Sequence, residues 1–258
     1  MTTDCVLAVD IGNSNVSFGL VRGGRVRARG RIPSATRDPA VIEAALRALW
    51  RAEPVLGVAL ASVAPARTPV WRRVLTRRFG FAPFEISHRV RLGIGLDYPR
   101  PETLGADRLV NAAEGAARYG APLIVADFGT ATTFDAICPR RGFVGGVIAP
   151  GWPLMLDYLA ARAALLPHLS PRRPRRVLGR STATAMQSGA HYGYCGLTRE
   201  IVTRLSAELG SAPVRLVLTG GYAPRVVLPD RPEAVHDPDL TLRGLARLYH
   251  LNQQNHIS

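Results

Sequence analysis

The chain has 258 residues, 47% of them hydrophobic, which suits one large domain or two modest ones with well-filled cores. No apolar run approaches the roughly 20 residues that span a bilayer, and no basic-plus-apolar signal precedes the first predicted strand. The three cysteines (Cys5, Cys138 and Cys195) have neither CxxC spacing nor a neighbouring His cluster. We therefore expect a cytoplasmic protein that does not enter the membrane.

The formal net charge is +14, and all 33 basic residues are arginine because the sequence contains no lysine. A basic surface attracts nucleic acid, but these arginines are scattered apart from residues 172–176, and no aromatic residues alternate with them. We favour a solvated arginine surface over a nucleic-acid-binding tract. The missing lysine excludes the Walker P-loop, the strand lysine of protein kinases and Schiff-base chemistry.

The first half of the chain predicts three strands joined by tight turns. The strand over 6–9 ends in Asp10 and a Gly-Asn-Ser-Asn turn. Gly23 and Gly24 form the next turn. The predicted order is strands over 6–9, 16–21 and 25–32, a helix over 40–50 and a strand over 55–61.

The second half repeats this pattern. A strand over 123–126 ends in Asp127 and a Gly-Thr-Ala-Thr turn. The rest of the repeat consists of strands over 133–138 and 143–148, a helix over 200–209 and a strand over 214–218. Each half is thus β-β-β-α-β-α, a mixed sheet flanked by helices.

The predicted boundary lies near residue 115, within a helical stretch over 104–119, and gives halves of 1–115 and 116–258. The second half carries a mostly helical insertion over 153–198, interrupted by the basic loop at 170–176. A final helix is predicted over 242–251, and the sequence leaves open which half it packs against.

The two Asp-Gly turns indicate phosphate chemistry. A strand that ends in Asp and a Gly-Asn or Gly-Thr turn places a carboxylate beside backbone amides and hydroxyls that cup phosphate oxygens. We expect Asp10 to hold Mg²⁺ through water, and Gly12 to let the backbone approach the ligand. Asn13, Ser14 and Asn15 would supply polar contacts. One such turn is an ordinary sequence, whereas two in equivalent positions are much more specific.

This duplication resembles the acetate and sugar kinase, Hsp70 and actin superfamily. The resemblance implies duplicated ribonuclease H-like (actin-like ATPase) domains, each a mixed β-sheet flanked by helices, with ATP in the cleft between them. Gly220 and Gly221 would then form the turn beside adenosine. A simple β-turn is the alternative for these two glycines.

Asp107 and Arg108 place a carboxylate and a guanidinium side by side where a helix is predicted to begin. The structural interpretation is an aspartate stabilised by the helix dipole with a local arginine partner. The functional interpretation is that Asp107 accepts the proton of a substrate hydroxyl while Arg108 binds a substrate anion.

Four segments together resemble type III pantothenate kinase: Gly-Ala-Asp-Arg at 105–108, Asp-Phe-Gly-Thr-Ala-Thr-Thr at 127–133, Gly-Gly-Val-Ile-Ala-Pro-Gly at 145–151 and Ala-Met-Gln-Ser-Gly at 185–189. The resemblance runs from Val6 to about Asn252. It implies ATP-dependent phosphorylation of pantothenate in coenzyme A biosynthesis, by a cytoplasmic homodimer that needs a divalent and a monovalent cation.

The resemblance also assigns roles to residues at matching positions. Asp107 would be the general base, and Asp127 would bind K⁺ or NH₄⁺. The ATP contacts would be Asp10, Ile11, Gly12, Asn13, Ser14, Asn15, Val16, Ser17 and Thr130. The pantothenate contacts would be Tyr98, Gly105, Ala106, Asp107, Arg108 and Thr182. For Tyr98, ordinary packing is the alternative.

This sequence departs from the family pattern at three places. Ser14 replaces a usual Thr but keeps a hydroxyl, and Arg180-Ser181 replaces a usual Lys-Asn. The loop at 97–101 differs around Tyr98, which puts the alignment of this tyrosine in doubt. Two other functions stay open: a related kinase for another small molecule, and a non-catalytic regulator whose basic surface binds nucleic acid.

Overall fold

The computed structural model describes residues 5–49, 54–210 and 212–253. Its strands are β1 (Cys5–Ile11), β2 (Asn15–Arg22), β3 (Arg25–Pro33), β4 (Val55–Ser62), β5 (Phe84–Glu85), β6 (Leu123–Phe128), β7 (Ala131–Cys138), β8 (Gly142–Pro150), β9 (Arg215–Thr219) and β10 (Val235–His236). Its helices are α1 (Pro39–Leu49), α2 (Thr68–Phe79), α3 (Ala106–Tyr119), α4 (Trp152–Arg162), α5 (Thr182–Leu209) and α6 (Leu240–Gln253). No helix within these ranges is both long enough and apolar enough to cross a membrane.

The chain forms two compact units. The N-terminal unit runs to Arg118 and also includes the chain from Asp239 onward, and the C-terminal unit is Tyr119–Pro238. Each unit contains one five-stranded sheet, with strand orders β3-β2-β1-β4-β5 and β8-β7-β6-β9-β10. In the N-terminal sheet, β2 is antiparallel to its neighbours β1 and β3, and β4 and β5 run parallel to β1. In the C-terminal sheet, β7 is likewise antiparallel to β6 and β8, and β9 and β10 run parallel to β6. The predicted duplication of a mixed sheet is confirmed.

The N-terminal sheet is covered by helices on both faces. Leu7, Val9 and Phe18 pack with α1 and α2, around the fully buried Trp71. On the opposite face, Val6 and Ala8 pack with α3 and α6. This explains why β1 is apolar at nearly every position: a central strand buried on both faces cannot alternate with polar residues.

Edge strand β3 accounts for part of the scattered positive charge. Arginines occupy every second position at 25, 27, 29 and 31, so they share one face of the strand, and they alternate with half-buried residues of the other face. Charged side chains on an edge strand oppose pairing with another chain. The position of these arginines on an edge strand therefore accounts for the basic character of this segment.

The final helix packs on the N-terminal unit. Leu242, Leu245 and Leu248 of α6 lie in the core beneath β1 and β4. Gly57 provides the space for Tyr249, since a Cβ on Gly57 would overlap the tyrosine ring. The Tyr249 hydroxyl donates to the Leu56 carbonyl oxygen at 3.1 Å. The structure thus decides the question that the sequence left open.

The C-terminal sheet packs on α4 and α5 through a second core. Phe128 and Phe134 of the sheet meet Trp152 of α4 and Tyr194 of α5. The predicted helix over 200–209 is the last third of α5, which begins at Thr182. The insertion is less helical than predicted, because residues 163–181 between α4 and α5 form an irregular connection.

Candidate functional site

Asp10 lies at the carboxyl end of central strand β1. It is half-buried and pairs with Ser17 of β2 and with Ala61 of β4. The hairpin that follows is closed by the Gly12 amide, which donates to the Asn15 carbonyl oxygen at 3.0 Å. Asn13, Ser14 and Asn15 are exposed at its tip. Of the predicted ATP contacts, Ile11 and Val16 are fully buried, with side chains in the core.

Ser34 fixes this hairpin loop from beneath and was missed by the sequence interpretation. It is 2% exposed and follows the end of β3. Its hydroxyl donates to the Gly12 carbonyl oxygen, and its amide donates to the Ser14 carbonyl oxygen at 3.0 Å. A single serine after a strand carries no sequence signal, and only the fold shows the connection.

Asp107 lies in the first turn of α3, and its carboxylate folds back over the backbone. Its Oδ1 accepts the Arg108 amide hydrogen at 2.8 Å. A Cβ placed on Gly105 would lie 2.5 Å from the same Oδ1. Gly105 is therefore needed as glycine to admit the carboxylate, while the Arg108 side chain is buried.

The fold brings the start of α3 to the sheet edge that carries Asp10. A Cβ on Gly105 would lie 3.1 Å from Val63 Cγ1, so the two residues are packed together. Val63 follows β4, and its amide donates to the Ile11 carbonyl oxygen at 3.0 Å. One chain of contacts thus joins Asp107 to the residue next to Asp10.

The environment of Asp107 suits proton transfer. Burial raises the pKa of its carboxyl above the ordinary 3.8, and the Arg108 amide and guanidinium partly oppose this. Desolvation disfavours the charged carboxylate. A raised pKa makes the carboxylate a stronger base at neutral pH than an exposed aspartate.

We expect Asp107→Asn to become more stable relative to the native chain as pH rises above about 4. Because its pKa is raised, the Asp107 carboxyl binds its proton more tightly in the folded state than in the unfolded state. The free energy of unfolding of the native chain therefore falls as the pH rises from the unfolded-state pKa to the folded-state pKa, and it stays level above that. Asparagine cannot ionise and escapes this loss. Urea unfolding of both proteins between pH 4 and 8 measures it, and a stability difference independent of pH would contradict the raised pKa.

In the C-terminal unit, Asp127 occupies the position equivalent to Asp10. It is half-buried near the end of β6 and pairs with Thr133 of β7 and Thr219 of β9. Gly220 follows with a φ of 89°, and a Cβ there would overlap both Asp127 Oδ1 and the Phe128 backbone. Only glycine allows this turn to approach the carboxylate so closely. Gly221, next in the turn, is exposed.

The Thr130 turn is held by Gly151. The Gly151 amide donates to the Thr130 carbonyl oxygen at 3.0 Å. A Cβ on Gly151 would overlap the carbonyl oxygens of Gly129 and Thr130. This glycine, the last of the Gly-Gly-Val-Ile-Ala-Pro-Gly segment, therefore allows α4 to begin directly against the turn that carries Thr130.

Tyr194 supports the Asp127 turn from below. Its hydroxyl shares a hydrogen bond with Thr132 Oγ1, and its ring lies against Trp152 and Phe128. Burial, chiefly, raises the pKa of Tyr194 to about 12, and the negative charge of Asp127 adds to this effect. Tyr194 therefore remains a neutral packing residue.

The remaining predicted contacts lie apart from these turns in the chain. Tyr98 is half-buried in the irregular segment before α3. Thr182 is exposed as the first residue of α5, whose preceding Ser181 caps the helix by accepting the Thr184 amide hydrogen at 3.2 Å. Twelve residues of helix separate Thr182 from Tyr194, about 18 Å along the axis. The C-terminal unit by itself brings together Asp127, Thr130 and Gly220, with Thr182 at the distant end of α5.

These residues suit a nucleotide-associated cation better than a metal site built wholly by protein. Among the residues that the structure describes, no three His, Cys, Asp or Glu side chains converge as a metal cluster. Mg²⁺ bound with a nucleotide needs only one or two carboxylates, because water and phosphate complete its shell. Asp10 near the end of β1 and Asp127 near the end of β6 each place a single half-buried carboxylate beside a turn.

Comparison with known proteins adds a family to this geometry. A family model described as type III pantothenate kinase matches residues 6–204. The chain belongs to the type III pantothenate kinase family. The match covers the N-terminal sheet and strands β6 to β8 of the second sheet, and it includes Asp10, Asp107 and Asp127. Members of a kinase family use ATP, generally with a divalent metal.

Two curated type III pantothenate kinases illustrate the relationship. The protein from Moorella thermoacetica is 39% identical over 257 residues, covering 96% of this chain and 99% of the relative. The protein from Rhodospirillum centenum is 40% identical over 257 residues, covering 96% and 98%. The resemblance inferred from the four segments is confirmed over nearly the whole chain.

Comparison with solved structures supports the fold class. A ROK family glucokinase from Streptomyces griseus, solved with glucose and AMPPNP, matches with a TM-score of 0.56 and 14% identity, covering 97% of this chain and 100% of that one. At this identity the likeness concerns the fold alone. It confirms the predicted class for this type III pantothenate kinase: duplicated ribonuclease H-like domains of the actin-like ATPase kind.

Proposed function

We propose that this protein transfers the γ-phosphoryl group of ATP to the primary hydroxyl of pantothenate, giving 4'-phosphopantothenate. This is the first step of coenzyme A biosynthesis, and we place it in the cytoplasm. Family membership identifies the substrate, and one structural observation supports the chemistry: Asp107 is a desolvated carboxylate joined by packed contacts to the sheet edge that carries Asp10.

Asp107 is the proposed general base. Its carboxylate accepts the proton of the pantothenate hydroxyl as that oxygen attacks phosphorus in line with the leaving ADP. Burial raises the pKa of Asp107 and so favours this transfer, while the Arg108 amide keeps Oδ1 oriented. The proposed pantothenate-binding residues are Tyr98, Gly105, Ala106, Asp107, Arg108 and Thr182.

Two turns are proposed to bind ATP. The amides and polar side chains of the loop over residues 10–17 would contact the phosphates, while the fully buried Ile11 and Val16 would hold this loop on the core. Thr130 would contact ATP through its hydroxyl, and Gly220 and Gly221 would lie beside the adenosine.

Two cations complete the proposal. Asp10 would hold Mg²⁺ through water, and Asp127 would hold K⁺ or NH₄⁺. Each cation, when bound, supplies fixed positive charge that offsets the charge of the phosphates. The chain contains no lysine to supply such charge, which favours a cation in this role.

We also propose a homodimer that forms through the C-terminal unit. Leu154 and Tyr158 are 39% and 65% exposed on the side of α4 opposite its buried Trp152 and Leu156, and Leu159 of the same helix is 40% exposed. In the same unit, Leu165 and Leu178 of the irregular connection are 93% and 80% exposed. Exposed apolar side chains in this number are typical of protein interfaces. Helix α5 adds less exposed apolar surface, with Tyr192 44% exposed.

Tyr158→Asp is expected to convert the dimer to a monomer, because a charge buried at an apolar interface is left without a partner. Light scattering after size exclusion measures the mass. The matched control is Val41→Asp, at an exposed apolar position on α1 of the other unit, which should stay dimeric. A dimeric Tyr158→Asp protein, or a monomeric native chain, would contradict this interface.

Substrate profiling tests the assigned reaction. ADP release is measured with ATP, Mg²⁺ and K⁺ in the presence of pantothenate, glucose or glycerol. We expect release above background with pantothenate only. Comparable release with another hydroxyl compound and none with pantothenate would instead support a different small-molecule kinase.

A further inference from the structure

Ser34 makes a bond pattern that determines which way the backbone of the hairpin loop faces. The loop consists of residues 12–15. Ser34 contacts it twice, with its hydroxyl on the Gly12 carbonyl oxygen and its amide on the Ser14 carbonyl oxygen. Ser34 is almost fully buried, so water does not compete for these bonds.

Peptide planarity converts these two bonds into an orientation. In a trans peptide the carbonyl oxygen and the following amide hydrogen point to opposite sides of the chain. The Gly12 carbonyl shares its peptide with the Asn13 amide, and the Ser14 carbonyl shares its peptide with the Asn15 amide. Since Ser34 holds both carbonyls, both amides point away from Ser34.

The Gly12 carbonyl is also the group that would accept the hydrogen bond closing a β-turn over residues 12–15. In a four-residue β-turn the first carbonyl commonly accepts the amide hydrogen of the fourth residue, here Asn15. The Ser34 hydroxyl donates to that same carbonyl. The Ser34 bond thus occupies a carbonyl to which the Asn15 amide could donate, and the turn is closed instead by the Gly12 amide on the Asn15 carbonyl oxygen.

Ser34 is itself fixed by the end of β3. Pro33 pairs with Asn15 across the hairpin, and the Thr36 amide donates to the Pro33 carbonyl oxygen at 3.0 Å. The serine therefore sits in a short turn that is anchored on the same hairpin. Its position does not depend on a bound ligand.

We propose that Ser34 is a positioning residue that presents the Asn13 and Asn15 amides of the loop to the phosphates of ATP. This rests on the proposed ATP-binding role of the loop. Ser34 acts through the backbone of Gly12 and Ser14 and does not itself touch the nucleotide. Oriented amides need no rearrangement when the anion arrives, which favours binding.

The test measures ATP binding directly and turnover separately. Loss of one hydrogen bond of about 0.5–1.5 kcal/mol corresponds to a roughly 2- to 12-fold change in a binding constant. We expect Ser34→Ala to raise the Kd for ATP with Mg²⁺, by calorimetry, and the KM for ATP by about 3- to 10-fold. The KM for pantothenate should be unchanged, and Ser34→Thr, which keeps the hydroxyl, should restore ATP binding to within about twofold.

Ser87→Ala is the control, because Ser87 is a half-buried serine of the same unit whose hydroxyl accepts the Arg89 amide hydrogen at 3.3 Å. It should leave both KM values unchanged. If Ser34→Ala does not fold, Ser34→Cys, which keeps the shape and donates only weakly, gives the decisive Kd. A purely structural role would lower the Tm without singling out ATP.

The two proposals fail in different ways. An unchanged Kd and KM for ATP in the folded Ser34 variant would overturn the positioning role while native turnover with pantothenate stands. If the native protein binds ATP but leaves pantothenate unmodified, pantothenate is not the substrate. The ratio of the Kd values for ATP in the Ser34 variant and the native protein would still test the positioning role of Ser34. A native protein that does not bind ATP would overturn both.

Discussion

Asp107→Asn is expected to reduce turnover about 10²- to 10⁴-fold, which is the contribution typical of a general base. ATP binding should change by no more than about twofold. Asparagine keeps the size of the side chain and removes the atom that accepts the proton. The proposed ATP-binding loop is a separate hairpin held by Ser34, so nucleotide affinity should persist. Steady-state kinetics and calorimetric titration of ATP measure the two effects.

Asp38→Asn is the matched control for this substitution. Asp38 is an exposed aspartate at the start of α1 in the same unit, and its Oδ1 accepts the Ala40 amide hydrogen at 2.8 Å. It should retain native turnover. Near-native turnover in Asp107→Asn would show that another group accepts the proton.

Asp127→Asn is expected to abolish activation by K⁺ and to lower turnover in saturating K⁺ by about 10²-fold, the lower range for loss of one preorganised electrostatic group. The isosteric amide keeps the close packing of Gly220 against this side chain but removes the negative charge that would attract the cation. Turnover is measured against K⁺ and NH₄⁺ concentration with Mg²⁺ held constant.

The control for the cation site is Asp230→Asn. Asp230 forms an exposed ion pair with Arg199 at 3.3 Å in the same unit, a contact worth at most about 1 kcal/mol. Its loss should leave the K⁺ response intact. An undiminished K⁺ response in Asp127→Asn would place the monovalent cation elsewhere.

The duplicated strands could be predicted because each central strand is apolar and ends in an Asp-Gly turn. This pattern is local, so it can be recognised without knowing the tertiary structure. Strands β5 and β10 have two residues each, too few for a period to appear. The sequence also could not predict which unit α6 packs on, because an apolar stripe on a helix fits either sheet. The contact between Gly57 and Tyr249, which selects the N-terminal sheet, is visible only in the fold.

The candidate site divides in the same way. Asp10, Asp107 and Asp127 were predicted because each carboxylate lies in a motif that stands out in the chain. Ser34 and the Val63 contact depend on segments distant in sequence that meet only in the fold. The roles assigned to Tyr98 and Thr182 stay predictions, since both rest on alignment with the family.

The most direct test of phosphoryl transfer to pantothenate is the mass of the product formed with ATP, Mg²⁺ and K⁺. The reaction predicts one phosphoryl group on pantothenate, formed in equal amount with ADP, and almost no product with Asp107→Asn. ADP release without phosphorylated pantothenate, or release that is the same with and without pantothenate, would contradict it.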